Sequence, residues 1–176
     1  MQRTVGRSAD DGEMLFLRLL AQSQVAFAAY TRAENALESG VLSPAQREQI
    51  ALAVAEINGS NHCLATHEIS AKETGLSDEE IRSAQKASAS DPKTEAMLRF
   101  VQALVLQRGD VSDEDFSSIR NAGFSGGEII EVLANVVLNI FTNYFNILAQ
   151  TEREHLTPPA SQRVAPPQNA GSETRP

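Results

Sequence analysis

Residues 43–69 read Ser-Pro-Ala-Gln-Arg-Glu-Gln-Ile-Ala-Leu-Ala-Val-Ala-Glu-Ile-Asn-Gly-Ser-Asn-His-Cys-Leu-Ala-Thr-His-Glu-Ile, and their punctuation decides the fold class. Ser43-Pro44 followed by Gln46 is a capping box with proline at the first helical position, and Asn58-Gly59 is a helix stop. The stretch therefore predicts a helix over 44–57. Ser60 stands where it can cap the next helix, which carries Cys63, Leu64, His67 and Ile69 and ends near Gly75.

The same grammar recurs on both sides. Ser77 with Glu80 starts a helix running to about Lys86, and Asp91-Pro92 starts one ending before Gly109. Ser112 with Asp115 starts a short helix ending near Gly123, and Ser125 with Glu128 opens the longest. Upstream, residues 13–38 are helical in pattern, as one helix or two, with Gly40 as the stop. No stretch alternates long enough to suggest a sheet, so the expected fold is all-α, a bundle of about six to eight helices.

At 176 residues the chain fits one domain, given roughly 150 residues per domain. We expect a flexible N-terminus over 1–12 and an all-helical domain over 13–156. Five of the seven prolines fall in 157–176; that segment cannot continue a helix and has little to bury, which predicts a disordered tail.

The composition is 41% hydrophobic and 22% charged, ordinary for a packed soluble domain. A net charge of -8 opposes contact with a phosphate backbone or an anionic membrane, so nucleic acid and membrane are not expected partners. Arg18 interrupts the apolar run from Leu15 to Leu20 and no signal peptide is readable, which points to the cytoplasm. A single cysteine, Cys63, excludes a disulfide scaffold and any two-cysteine redox cycle within one subunit.

The helix expected over 126–148 is the most apolar segment. Its length suits a membrane span, yet Asn135, Asn139, Asn143 and Asn146 recur every three or four residues and line one face with amides. A helix apolar on most sides needs cover from protein, and in so short a chain subunit association is the natural source, giving a homo-oligomer, a trimer or a hexamer. The Asn stripe reads first as a polar ladder bonding to a neighbouring helix, second as a ligand-binding face.

Chemistry concentrates in 58–68. With Ser60 as cap, Cys63 is the third helical residue, where unpaired backbone amides and the helix dipole favour a thiolate. His67 lies four residues on, along the same face; His62 points about 100° away. Glu48 and His67 stand roughly 15 and 12 Å from the intervening turn at about 1.5 Å per residue. An antiparallel hairpin would set them nearly level, so that thiol, imidazole and carboxylate meet as nucleophile, base and orienter. Plainer readings stand beside this one: a buried apolar cysteine, a solvated Glu48, two ordinary histidines. A zinc site from Cys63, His67 and Glu48 lacks a fourth ligand.

Glu48, eleven residues, Ser60-Asn61-His62-Cys63, three residues and His67 resemble the core motif of the AhpD-like, carboxymuconolactone decarboxylase family, whose redox members carry Glu, Cys-x-x-Cys and His at this spacing. Leu42 to Glu48, Ala51 to Ala55 and Gly75-Leu76-Ser77 are similar to its flanking segments. The likeness covers roughly residues 13–155, and Glu48, Cys63 and His67 match the motif. Ser60 stands where redox members have the first cysteine; it cannot resolve a sulfenic acid. Two accounts fit: a natural protein served by an external thiol, or a cysteine replaced by engineering.

The resemblance implies an AhpD-like helical fold, assembly around the apolar helix, and peroxidase activity with no cofactor and no metal. In that reading Cys63 attacks a small peroxide, Glu48 and His67 relay protons, His62 assists, and an external thiol or thiol protein is the reductant. Two rivals remain. One is the non-redox wing of the family, with His67 or Glu48 as general acid or base on a small carboxylated lactone. The other is a catalytically dead oligomeric module.

Overall fold

The computed structural model describes residues 16–151, all of whose regular structure is helical. The short helix α1 covers 16–20. It is followed by α2 (Gln24–Glu38), α3 (Pro44–Ile57), α4 (Asn61–Glu73), α5 (Asp78–Gln85), α6 (Pro92–Leu106), α7 (Asp113–Asn121) and α8 (Gly126–Thr151). The segments expected to be flexible, 1–12 and 157–176, lie outside the described residues.

Short-range side-chain chemistry explains the boundaries. Ser43, Ser77 and Ser112 each accept from the backbone N–H three residues on, while Gln46, Glu80 and Asp115 reach back to the capping residue's own N–H, satisfying two of the amides that a helix start leaves unpaired. Asp91 caps α6 through the Thr94 N–H at 2.9 Å. The pattern over 13–38 resolves, within the described residues, into α1 and α2. Ser23 divides them and accepts from the Ala26 N–H at 3.2 Å.

The centre of the bundle is α3. Seven consecutive residues, Gln49 to Ala55, are buried, and α3 packs on α4, α5, α6 and α8. A helix buried all round needs no polar stripe, and the small Ala51, Ala53 and Ala55 let neighbours approach closely. Met97, Leu98, Val101, Ile119, Val132 and Val136 complete the core around Ile50, Leu52 and Val54.

Helix α8 is long and apolar enough to cross a membrane by length and composition, but it is two-faced. Ile129, Val132, Asn135, Val136 and Asn143 are buried against the bundle, whereas Ile130, Leu133, Val137, Phe141, Tyr144 and Leu148 are exposed. The central helix is thus α3 rather than α8, and the apolar excess of α8 forms a stripe with spacings of three or four residues. Glu131 ties α8 to the loop before α3, accepting from the Val41 and Leu42 N–H groups at 3.0 and 2.8 Å.

Candidate functional site

The α3–α4 turn is doubly defined. The Gly59 N–H donates to Glu56 O at 3.1 Å and the Ser60 N–H to Ala55 O at 2.9 Å, which is a Schellman closure with Gly59 at the left-handed position, φ +66°. Ser60 therefore ends one helix and starts the next. Its backbone pays for both roles: ψ is 81°, against 155°, 160° and 158° at Ser43, Ser77 and Ser112. The hydroxyl makes no capping bond. The expected Ser60 cap is corrected accordingly: position 60 is the N-cap, but its Oγ is buried with no hydrogen-bond partner among the described residues.

This start places Cys63 at the third residue of α4, where the residue is only 4% exposed. The first turn of α4 holds no acidic residue, while those of α5 and α7 hold three each. No carboxylate of its own first turn therefore neutralises the positive end of the α4 dipole, which favours a charged sulfur there.

Glu48 and His67 meet as the hairpin geometry predicts. His67 Nδ1 donates to Glu48 Oε2 at 2.9 Å, with both side chains about a quarter exposed. A carboxylate accepts only, so the proton of this bond sits on Nδ1, and in the neutral imidazole Nε2 is then the acceptor.

Cys63, His67, Glu48 and His62 all line one cavity of about 270 Å³ between α2, α3, α4 and α8. His62 is thus brought to the site despite its position around the helix. Partial burial pushes its pKa below the usual 6.5, so at neutral pH it is uncharged and lends no positive charge to the sulfur. Ser60 does not line this cavity.

The Asn stripe divides. Asn135 and Asn139 donate to carbonyls of their own helix, Glu131 O and Asn135 O, each at 2.9 Å. Asn143 is fully buried and accepts from Asn58 Nδ2 at 3.0 Å, pinning the α3–α4 turn to α8. Asn146 donates from Nδ2 to Cys63 Sγ at 3.2 Å. The ladder to a neighbouring helix holds for the last two only. Among the described residues the hydrogen bond to the sulfur comes from Asn146 and not from His67. The sequence offers Asn146 only as one of four asparagines on an amide stripe; its contact with Cys63 is not among the sequence-based expectations. Among the described residues no group of three metal-ligating side chains converges.

Residues 22–106 match the model of the carboxymuconolactone decarboxylase family, a span that contains Glu48, Cys63 and His67. A solved structure from Agrobacterium tumefaciens, of a protein of unknown function that is a candidate antioxidant defence protein AhpD, is 26% identical. It superposes with a TM-score of 0.64 over 76% of this chain and 91% of that one. A peroxidase-related protein from Silicibacter sp. TM1040 is 22% identical, with a TM-score of 0.65 over 84% and 77%; this second likeness is one of fold. No protein of curated function matches the chain.

Proposed function

We propose that this chain, whose residues 22–106 match the carboxymuconolactone decarboxylase family model, is a member of that family and a thiol-dependent peroxidase that reduces small hydroperoxides through Cys63. The observation that carries the reading is the placement of one sulfur at the N-terminus of α4, in a cavity shared with a hydrogen-bonded Glu48–His67 pair. The likeness to the candidate antioxidant defence protein of Agrobacterium tumefaciens supports it.

His67 Nε2 accepts the thiol proton, directly or through a water, while Glu48 stabilises the imidazolium through Nδ1. The thiolate attacks the terminal hydroxyl oxygen of the hydroperoxide; an S–O bond forms as the O–O bond breaks, and sulfur reaches the sulfenic acid level. The departing alkoxide takes the proton from His67 and leaves as the alcohol. An external thiol then attacks the sulfenic sulfur, releasing water and leaving a mixed disulfide, and a second external thiol frees Cys63 as a disulfide of the reductant departs. Ser60 has no thiol to resolve the sulfenic acid, so both reducing equivalents come from outside. A cytoplasmic thiol pool meets that need.

The exposed α8 stripe supports assembly as a homo-oligomer, a trimer or a hexamer, since Ile130, Val137, Tyr144 and Leu148 are each more than half exposed in the single chain. Measurement of hydroperoxide loss coupled to oxidation of a small dithiol tests the activity. Turnover that disappears in Cys63→Ala is expected; turnover equal to the uncatalysed rate overturns the proposal.

The Glu48–His67 pair also favours a second reading, because it is a complete acid–base couple without the sulfur: a decarboxylase acting on a small carboxylated lactone. Lactone turnover retained in Cys63→Ala would favour that reading.

A further inference from the structure

Three asparagines on α8 with donor bonds divide into two kinds. Asn135 and Asn139 donate to the carbonyls four residues earlier on α8, the local bond that a helical Asn side chain makes without help from the rest of the fold. Asn146 instead reaches a partner 83 residues away, and that partner is the Cys63 sulfur at 3.2 Å. Asn146 lines the same cavity as Cys63 and His67.

We propose that Asn146 is a positioning residue for the Cys63 thiolate, holding the sulfur toward the cavity and stabilising its charged form with an amide hydrogen bond; this deepens, and rests on, the thiol-peroxidase reading. The carboxamide suits the task. Its NH2 donates without ever taking the sulfur's proton, and it carries no charge that would need neutralising when the sulfur becomes a sulfenic acid. A sulfur on a residue only 4% exposed has little hydration of its own charge, so a fixed donor replaces what burial removes. The titratable and charged groups that line the cavity with the sulfur are Tyr30, Glu34 and Glu38 on α2, Arg47 and Glu48 on α3, and His62 and His67 on α4; Glu48 is held by His67, and Arg47 donates to the Leu42 carbonyl at 3.0 Å. Burial keeps His62 neutral at pH 7, and the Glu48 charge opposes a second negative charge nearby. Asn146 supplies a hydrogen bond to the sulfur from across the bundle, a contact that favours the thiolate over the thiol.

Cys63 is the single cysteine of the chain, so thiolate absorbance at 240 nm of the full-length protein reports it alone, with Cys63→Ala as the baseline. In Asn146→Leu, which keeps size and removes the donor, the thiolate population at a fixed pH below the titration midpoint should fall about tenfold, as should the rate of alkylation by iodoacetamide, the effect of losing one hydrogen bond to a charged acceptor. Asn146→Gln, which keeps an NH2 donor, should recover part of both. Asn139→Leu, which lines the same cavity but bonds its own helix, should leave the titration in place. If Asn146→Leu does not fold, Asn146→Ala is read in the same way. Titration and alkylation unchanged in the folded donor-less variant overturn the proposal. A wild-type protein that forms no sulfenic acid with peroxide, yet still loses thiolate on Asn146→Leu, overturns the peroxidase reading and leaves the Asn146 contact standing.

Discussion

Glu48 on α3 and His67 on α4 are joined side chain to side chain at 2.9 Å across a hairpin whose turn is closed by Gly59. The bond fixes which imidazole nitrogen is left for chemistry. Glu48→Gln keeps the shape but replaces the charge that stabilises the imidazolium, and it should lower kcat/KM for peroxide reduction about 10- to 100-fold, a part of the roughly 100- to 10,000-fold that general acid–base catalysis contributes. Because the pair is partly solvated, the same change should alter unfolding free energy by less than about 1 kcal/mol. Steady-state kinetics and urea melts check both; full activity in Glu48→Gln would mean that His67 needs no orienter.

Ser60 has a buried hydroxyl without a partner among the described residues, and an unsatisfied buried polar group costs about 1–3 kcal/mol. Ser60→Ala should therefore be neutral or stabilising, the reverse of the roughly 1 kcal/mol loss usual when a serine cap is removed. A drop in Tm in Ser60→Ala would show that the hydroxyl is satisfied in solution.

Position 60 also stands three residues before Cys63, at the start of one helical turn, which brings the two side chains to neighbouring positions. Ser60→Cys should form an intrachain disulfide under mild oxidant, read by mass spectrometry as a loss of two hydrogens. A variant that stays reduced would contradict the position of the α4 start.

His62 has its pKa lowered by burial. The unfolded chain then binds a proton that the folded chain resists, so stability should be full above about pH 6.5 and decline as pH falls through the folded pKa. Urea midpoints at pH 8 and pH 5 should differ more in the wild type than in His62→Gln. Equal differences would show that His62 does not resist protonation in the fold.

Helix boundaries were legible because they depend on residues three apart. Ser43, Pro44, Gln46 and Asn58-Gly59 delimit 44–57, which matches α3 (Pro44–Ile57). The Glu48–His67 meeting was legible from helical rise alone. Contacts between distant helices were not. The Cys63–Asn146 bond joins α4 to α8 across 83 residues, and no local period encodes which of four similar asparagines turns to the sulfur. The Ser60 hydroxyl failed as a cap for a related reason: one residue serves two helix ends, and the Schellman closure of α3 set its ψ. The amphipathic split of α8 was hidden because its exposed face is as apolar as its buried one.

That exposed face gives the assembly prediction. Light scattering after size exclusion should give a multiple of 19.0 kDa, and Val137→Lys, at a position 56% exposed on the stripe, should move the mass toward one chain. A wild-type mass of a single chain would contradict the assembly.

The central claim is that Cys63 is a peroxide-reactive thiol, and trapping its first product tests this most directly. Wild-type protein treated with one equivalent of hydroperoxide in the presence of dimedone should gain one dimedone adduct, mapped by peptide mass spectrometry to Cys63 and absent when peroxide is omitted. An unlabelled Cys63 in folded protein, with the hydroperoxide unconsumed, would contradict the account.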